Sequence, residues 1–256
     1  MCVLALGWKS HPRWPLVLAG NRDERHDRPA AALARWDEAP EVLGGRDLEA
    51  GGTWLGVSER GRLAVVTNLR GFGAPRPQAP SRGLLVRDLL TGRGRYAAVR
   101  QDELAAFSPM NLILVEGGNA SFMTNKPAAA ILPLAPGLHG LANGELDDPW
   151  PKTRQLKAAL AAWFEAGDDE PDALFAALAD RTPAPDAELP STGLGLERER
   201  LASPVFIAGD VYGTRCSTVV RVNSDGEGEI LERRCGAGGA PLGATALTFI
   251  WPSGSL

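Results

Sequence analysis

Histidine and cysteine are scarce in this chain, three of each in 256 residues. His11, His26 and His139 lie far apart and show no zinc-ligand spacing. Cys2, Cys216 and Cys235 form neither a C-x-x-C pair nor a disulfide framework. A metal enzyme and a disulfide-stapled scaffold are therefore disfavoured, and a reduced, cytoplasmic protein is expected. No cofactor is called for. Long apolar runs are missing too. None approaches the ~18–20 residues that cross a bilayer, so no transmembrane segment is expected. No basic region followed by a long apolar segment opens the chain, so no secretory signal is expected. Net charge is −4 with no long basic run, which argues against nucleic acid or an anionic membrane as the main partner. A G-x-G-x-x-G after the first strand, a P-loop, internal repeats and low-complexity linkers are all absent. One domain over residues 1–256 is the simplest organisation.

What is present begins at the N-terminus. Val3-Leu4-Ala5-Leu6 and Pro15-Leu16-Val17-Leu18-Ala19 are apolar runs of strand length joined by the polar turn Lys9 to Arg13. They read as a β-hairpin that brings Cys2 near the tetrad Asn21-Arg22-Asp23-Glu24. Residues 53–68 read as a second hairpin around Ser58-Glu59-Arg60-Gly61. Met110 to Val115 and Ala120 to Thr124 flank the turn Glu116-Gly117-Gly118-Asn119. Residues 216–222 and 229–233 flank Asp225-Gly226. Shorter strands are expected at 137–141, 204–208 and 245–250, with a fraying tail. Ser81 caps a predicted helix ending at Thr91-Gly92. Further helices are predicted over 95–107, over 152–166 with Leu156, Leu160, Trp163 and Phe164 at helical spacing, and around Leu174 to Leu178. Residues 25–40 and 181–200 read as irregular surface. Antiparallel hairpins with helices inserted in pairs predict an α+β fold.

Cys2 is the first candidate for chemistry. If the initiator Met1 is removed, the chain starts with a thiol and a free α-amine on one residue, with reference pKa values of about 8.5 and about 7.7–8.0. Nucleophile and base then come together. In the tetrad, a carboxylate can hold the terminal ammonium and a guanidinium can favour thiolate. Arg22 and Asp23 are adjacent, so on a regular strand they point to opposite faces. Asn68, Asn143 and Arg215 lie at later strand ends. An asparagine amide there can donate to a developing oxyanion.

Several of these blocks together resemble a known family. Met1-Cys2, the run Pro15 to Glu24, Gly51-Gly52-Thr53-Trp54-Leu55-Gly56 and Leu63 to Asn68 are similar to the NRDE family, that of transport and Golgi organisation protein 2. Gly140-Leu141-Ala142-Asn143, Pro149-Trp150-Pro151-Lys152 and Tyr212-Gly213-Thr214-Arg215 extend the resemblance almost to the C-terminus. That family in turn resembles N-terminal-nucleophile hydrolases of the choloylglycine hydrolase and penicillin V acylase type. The resemblance implies a four-layer αββα sandwich of two mainly antiparallel sheets covered by helices. It implies Cys2 as nucleophile, Asp23 holding the α-amine, Asn68 and Asn143 near the oxyanion, and Arg215 near the thiol. Arg22, Asn21 and Trp54 are carried as substrate-binding candidates. The hydrolases have an arginine three residues before the aspartate, where this chain has Gly20. Arg22 keeps the same strand face but sits one pleat further along, so Asn68 and Asn143 transfer better than Arg22. The implied activity is amide hydrolysis on a small molecule. The alternative the family implies is a non-enzymatic carrier of haem, lipid or acyl-CoA.

Overall fold

The computed structural model describes residues 2–73, 76–167 and 169–256. In chain order the strands are β1 (Cys2–Trp8), β2 (Leu16–Arg25), β3 (Ala30–Trp36), β4 (Ala39–Asp47), β5 (Leu55–Ser58), β6 (Arg62–Asn68), β7 (Met110–Glu116), β8 (Asn119–Thr124), β9 (Ala130–Pro133), β10 (Gly137–Leu141), β11 (Tyr212–Val222), β12 (Glu227–Cys235) and β13 (Pro241–Ile250). The helices are α1 (Arg82–Thr91), α2 (Gln101–Leu104), α3 (Pro151–Ala166), α4 (Asp172–Leu178) and α5 (Leu196–Leu201). One sheet runs β10-β1-β2-β11-β12-β13 and the other β3-β4-β5-β6-β7-β8-β9. The paired neighbours within each sheet are antiparallel.

Alternation along the strands explains the layers. In β1 and β2, Leu4, Leu6, Trp8, Leu16 and Leu18 face Leu43, Leu55, Val57, Leu63, Val65 and Ile113 of the other sheet. The intervening Val3, Ala5, Val17 and Ala19 face Leu156, Leu160, Trp163, Leu174 and Phe175 of α3 and α4. On the far side, Ala64, Val66, Leu112 and Leu114 pack under Leu85, Val86, Leu89 and Leu90 of α1. Both faces of both sheets are thus buried, which gives the αββα sandwich. The Ser81 side chain accepts from the Leu84 N–H, and Gly92 closes α1 in the left-handed region.

Several expectations need correction. Residues 25–40 are not irregular surface. They hold β3 and the start of β4, where register shifts in β3 break the alternation and Leu33, Trp36 and Ala39 are buried at every third position. The helix predicted over 95–107 shrinks to Gln101–Leu104, although Tyr96, Leu104 and Phe107 are buried as the pattern implied. Residues 181–200 contain α5 and a 3₁₀ turn at Asp186–Glu188. Residues 204–207 are buried, but 204–208 are not a strand. The tail does not fray: Trp251 is core, and the Ser255 carbonyl accepts from the Gly118 N–H.

Candidate active site

The site forms at one end of the sheet containing β1 and β2. The hairpin register sets Cys2 opposite Arg22, and Arg22 is in turn opposite Cys216 on β11. By alternation, Cys2 and Arg22 lie on the inter-sheet face with Leu4 and Leu18, while Asp23 lies on the helix face with Val17, Ala19 and Asn21. The strand does not end or bulge at Arg22-Asp23; β2 runs on to Arg25. The irregularity is on the neighbour. Between Thr214 and Cys216 the β11 register slips by one residue, leaving Arg215 extra. The slip lets the Thr214 hydroxyl reach Asp23 on one face while Cys216 meets Arg22 on the other; Thr214 Oγ1 donates to Asp23 Oδ1 at 2.7 Å.

Burial dominates the electrostatics. It pushes the Cys2 thiol up, and the Asp23 charge adds to this. Arg22 and a hydrogen bond from the Asp23 backbone N–H pull the other way. Burial also raises Asp23, against the pull of Lys152, Thr214 and Arg70. Lys152 is brought down to about 8 by burial, which outweighs the support of Asp23 and Cys2. Its Nζ donates to the Ala202 carbonyl at 3.1 Å. Tyr212, whose hydroxyl donates to the Asp23 carbonyl at 2.9 Å, is raised by the same burial. Cys216 is pushed well above the ordinary thiol range by burial and then by Glu232.

Asn68 and Asn143 come together. Asn143 Nδ2 donates to both the Asn68 backbone carbonyl and Asn68 Oδ1, each at 3.0 Å. The Asn143 amide protons are thereby committed to Asn68, and the Asn68 amide N–H₂ is left to donate. The Arg70 N–H donates to the Asn143 carbonyl at 2.8 Å, and Arg70 forms a buried ion pair with Glu199 at 3.2 Å. Asn68 lines a cavity of ≈ 1430 Å³ together with Glu24, Arg70, Arg82 and Tyr212. Arg82 and Tyr212 on this wall both feel the charge of Cys2.

The other expected residues lie elsewhere. Arg215 is not beside the Cys2 thiol. Its Nη1 donates to the Arg25 and Arg28 carbonyls at 2.6 and 2.9 Å, holding the exit of β2. Arg22, discounted for its one-pleat shift, is the guanidinium opposite Cys2, and its Nη2 stands 3.4 Å from Asp47 Oδ2. Gly20 has no room for an arginine: a Cβ there would meet Leu4 Cβ at 2.9 Å. Asn21 is a brace, its Nδ2 donating to the Leu178 and Val205 carbonyls at 2.8 and 2.9 Å. Trp54 is half-buried against the inter-sheet core and lines a small cleft of ≈ 30 Å³ with Arg22, Arg215 and Cys216.

Sequence reasoning passed over Lys152, Arg82 and Glu199 as site residues. For Lys152 a signal exists: it precedes Leu156, Leu160 and Trp163 on the buried stripe of α3, where a lysine is out of place. Nothing local marks Arg82 or Glu199. The Gly51-Gly52 pair matters to Arg82 through packing, since a Cβ on Gly52 would meet the Gly83 carbonyl carbon at 2.1 Å. Only glycine lets the first turn of α1 come this close and carry Arg82 to the cavity.

The fold has counterparts. The mutant C2A conjugated bile acid hydrolase from Clostridium perfringens is similar, with a TM-score of 0.53 and 96% of this chain and 92% of that chain covered. At 8% identity the likeness is one of fold. In sequence, the Transport and Golgi organization protein 2 homolog of Bos taurus is 33% identical, covering 91% of this chain and 92% of the bovine one. The human homolog is 31% identical over the same shares. The family described as Transport and Golgi organisation 2 matches residues 1–237. With its whole cavity wall, its nucleophile candidate and its asparagine pair all inside that span, this chain belongs to the Transport and Golgi organisation 2 family.

Proposed function

We propose that this chain is a cysteine N-terminal-nucleophile amidohydrolase acting on a linear or cyclic amide of a small molecule. The observation that carries the reading is the grouping of Cys2 opposite Arg22, a buried Asp23 beside it, and the Asn68–Asn143 pair on the wall of a large cavity. After removal of Met1, the thiol of Cys2 attacks the amide carbonyl carbon and its proton passes to the α-amine. The resulting ammonium faces the Asp23 carboxylate. The oxyanion accepts from the Asn68 amide, which Asn143 holds in place. Collapse breaks the C–N bond, the ammonium protonates the leaving nitrogen, and a thioester remains on Cys2. Water, deprotonated by the amine, then adds to the thioester and releases the acid.

Intact mass and hydrolysis of an amide panel test this together. The expected result is a purified chain lacking Met1, cleaving an amide that Cys2→Ala does not cleave. Retained Met1, or cleavage by Cys2→Ala, overturns the reading.

The size of the cavity favours a second reading, binding without turnover of haem, a lipid or an acyl-CoA. Its ≈ 1430 Å³ exceeds the roughly 300–1,000 Å³ of most small-molecule sites. Among the described residues no histidine lines it, which leaves haem iron without its commonest ligand. Ligand binding that survives Cys2→Ala, with no amide cleaved by the parent chain, selects this second reading.

A further inference from the structure

The arginines lining the large cavity are not equivalent. Arg70 pairs through Nη1 with Glu199 at 3.2 Å, so its charge is balanced although its Nη2 is buried without a partner among the described residues. Arg200 Nε donates to Asp186 Oδ1 at 2.6 Å. Arg181 is exposed and stands over the Phe206 ring, 5.0 Å from its centroid, and Arg198 is exposed on α5. Arg82 differs from all four. It is half-buried at the start of α1, its Nη1 donates to the Pro109 carbonyl at 3.0 Å, and no carboxylate among the described residues pairs with it. Glu24 lies on the same wall and is felt by Arg82, but beyond ion-pair distance, and Arg28 adds like charge. A desolvated guanidinium without a counter-ion is costly, and the cost is recovered when an anion arrives. Much of the remaining wall is apolar: Leu69, Pro109, Pro204, Phe206 and Ile207 line it, and Leu201 lines it while 67% exposed, with Ser108, Thr192 and Tyr212 as polar interruptions.

We propose that Arg82 is the anchor for an anionic group, a carboxylate or a phosphate, on an otherwise apolar ligand of this cavity. The ligand's body lies along Leu69, Phe206 and Leu201, and its charged group pairs with the free donors of Arg82 next to Cys2. The proposal rests on the reading of the cavity as the substrate site, and it names the substrate class: an amide that also carries a negative charge close to the bond to be cleaved. Arg70 and Arg200 already hold carboxylates and serve the wall rather than the ligand.

Calorimetric titration of the full chain with octanoate, octyl phosphate and neutral octanamide tests it without requiring turnover. The parent chain is expected to bind one of the two anions about tenfold or more tighter than octanamide, as a charge-assisted pair in a sheltered site implies. The octanoate and octyl phosphate arms tell a carboxylate site from a phosphate site. Arg82→Gln should erase the preference while leaving octanamide affinity unchanged, Arg82→Lys should keep part of it, and Arg198→Gln should leave it intact. No measurable binding of either anion, equal affinity for anion and amide, or a preference that survives Arg82→Gln overturns the proposal. Cys2→Ala should show the same anion preference as the parent. Failure of the nucleophile would therefore appear in the hydrolysis assay and not in these titrations.

Discussion

Residues 16–19 and 21–23 of β2 are buried to almost the same degree and could hardly differ more in chemistry. Leu16, Val17, Leu18 and Ala19 are core residues that need no partner beyond neighbouring side chains. Asn21, Arg22 and Asp23 continue the same strand at 0%, 8% and 2% exposure. Burying an amide, a guanidinium and a carboxylate in succession is unfavourable unless each is answered. Asn21 is answered by two carbonyls, Asp23 by Thr214 with Lys152 in range, and Arg22, among the described residues, by a long contact to Asp47. The first half of the strand makes the fold; the second half is tolerated because the fold supplies partners, and it is the half that meets Cys2.

Substitutions along this strand should separate the two halves. The largest effect is expected from Asp23→Asn, which keeps the shape and removes the charge. Amide hydrolysis should fall by about 10²–10⁴, the range for loss of an acid–base partner, with the circular dichroism spectrum retained. Leu18→Ala should act oppositely, costing about 2–5 kcal/mol in urea unfolding while activity per folded molecule stays near that of the parent. Asn21→Ala is the sharper probe, because a polar residue in the chemical half should behave like core. Two carbonyls lose their donor, so a loss of about 2–4 kcal/mol is expected with KM unchanged.

The smallest effect concerns pH. Lys152 titrates near 8 in the folded chain and near 10.5 when unfolded. Between these values the unfolded chain binds more protons, so this residue's contribution to stability rises with pH across that window. Below about pH 8 both states are protonated and the burial cost is felt in full. Relative to Lys152→Met, the parent should therefore gain stability from pH 8 to pH 10, read as the difference in urea midpoints.

The same comparison shows what the sequence could reveal. The hairpin of β1 and β2 was legible because its apolar runs and polar turn are local, and alternation then placed Arg22 and Asp23 on opposite faces. The spans of β3 and β4 were hidden because register shifts in β3 break the period of two, and alanine and glycine carry little hydrophobic contrast. Asn68 and Asn143 were legible through their motifs, but not their mutual hydrogen bond, which joins residues 75 positions apart. That Arg22, and not Arg215, stands opposite Cys2 in the register follows from the hairpin, whereas the one-residue slip in β11 that sets Arg215 aside has no local sequence sign. Arg82 was invisible for a related reason: its importance comes from what fails to pair with it in three dimensions.

The central claim is that Cys2, alone among three cysteines, is an activated nucleophile, and iodoacetamide labelling mapped by mass spectrometry tests it most directly. Burial raises all three thiols, but only Cys2 carries both Arg22 and the Asp23 N–H as opposing influences. At neutral pH Cys2 should be modified well ahead of Cys216 and Cys235, and Arg22→Gln, which removes a charge that pulls the Cys2 thiol down, should slow that modification. Equal labelling of the three, or labelling of the half-exposed Cys235 ahead of Cys2, would contradict the account.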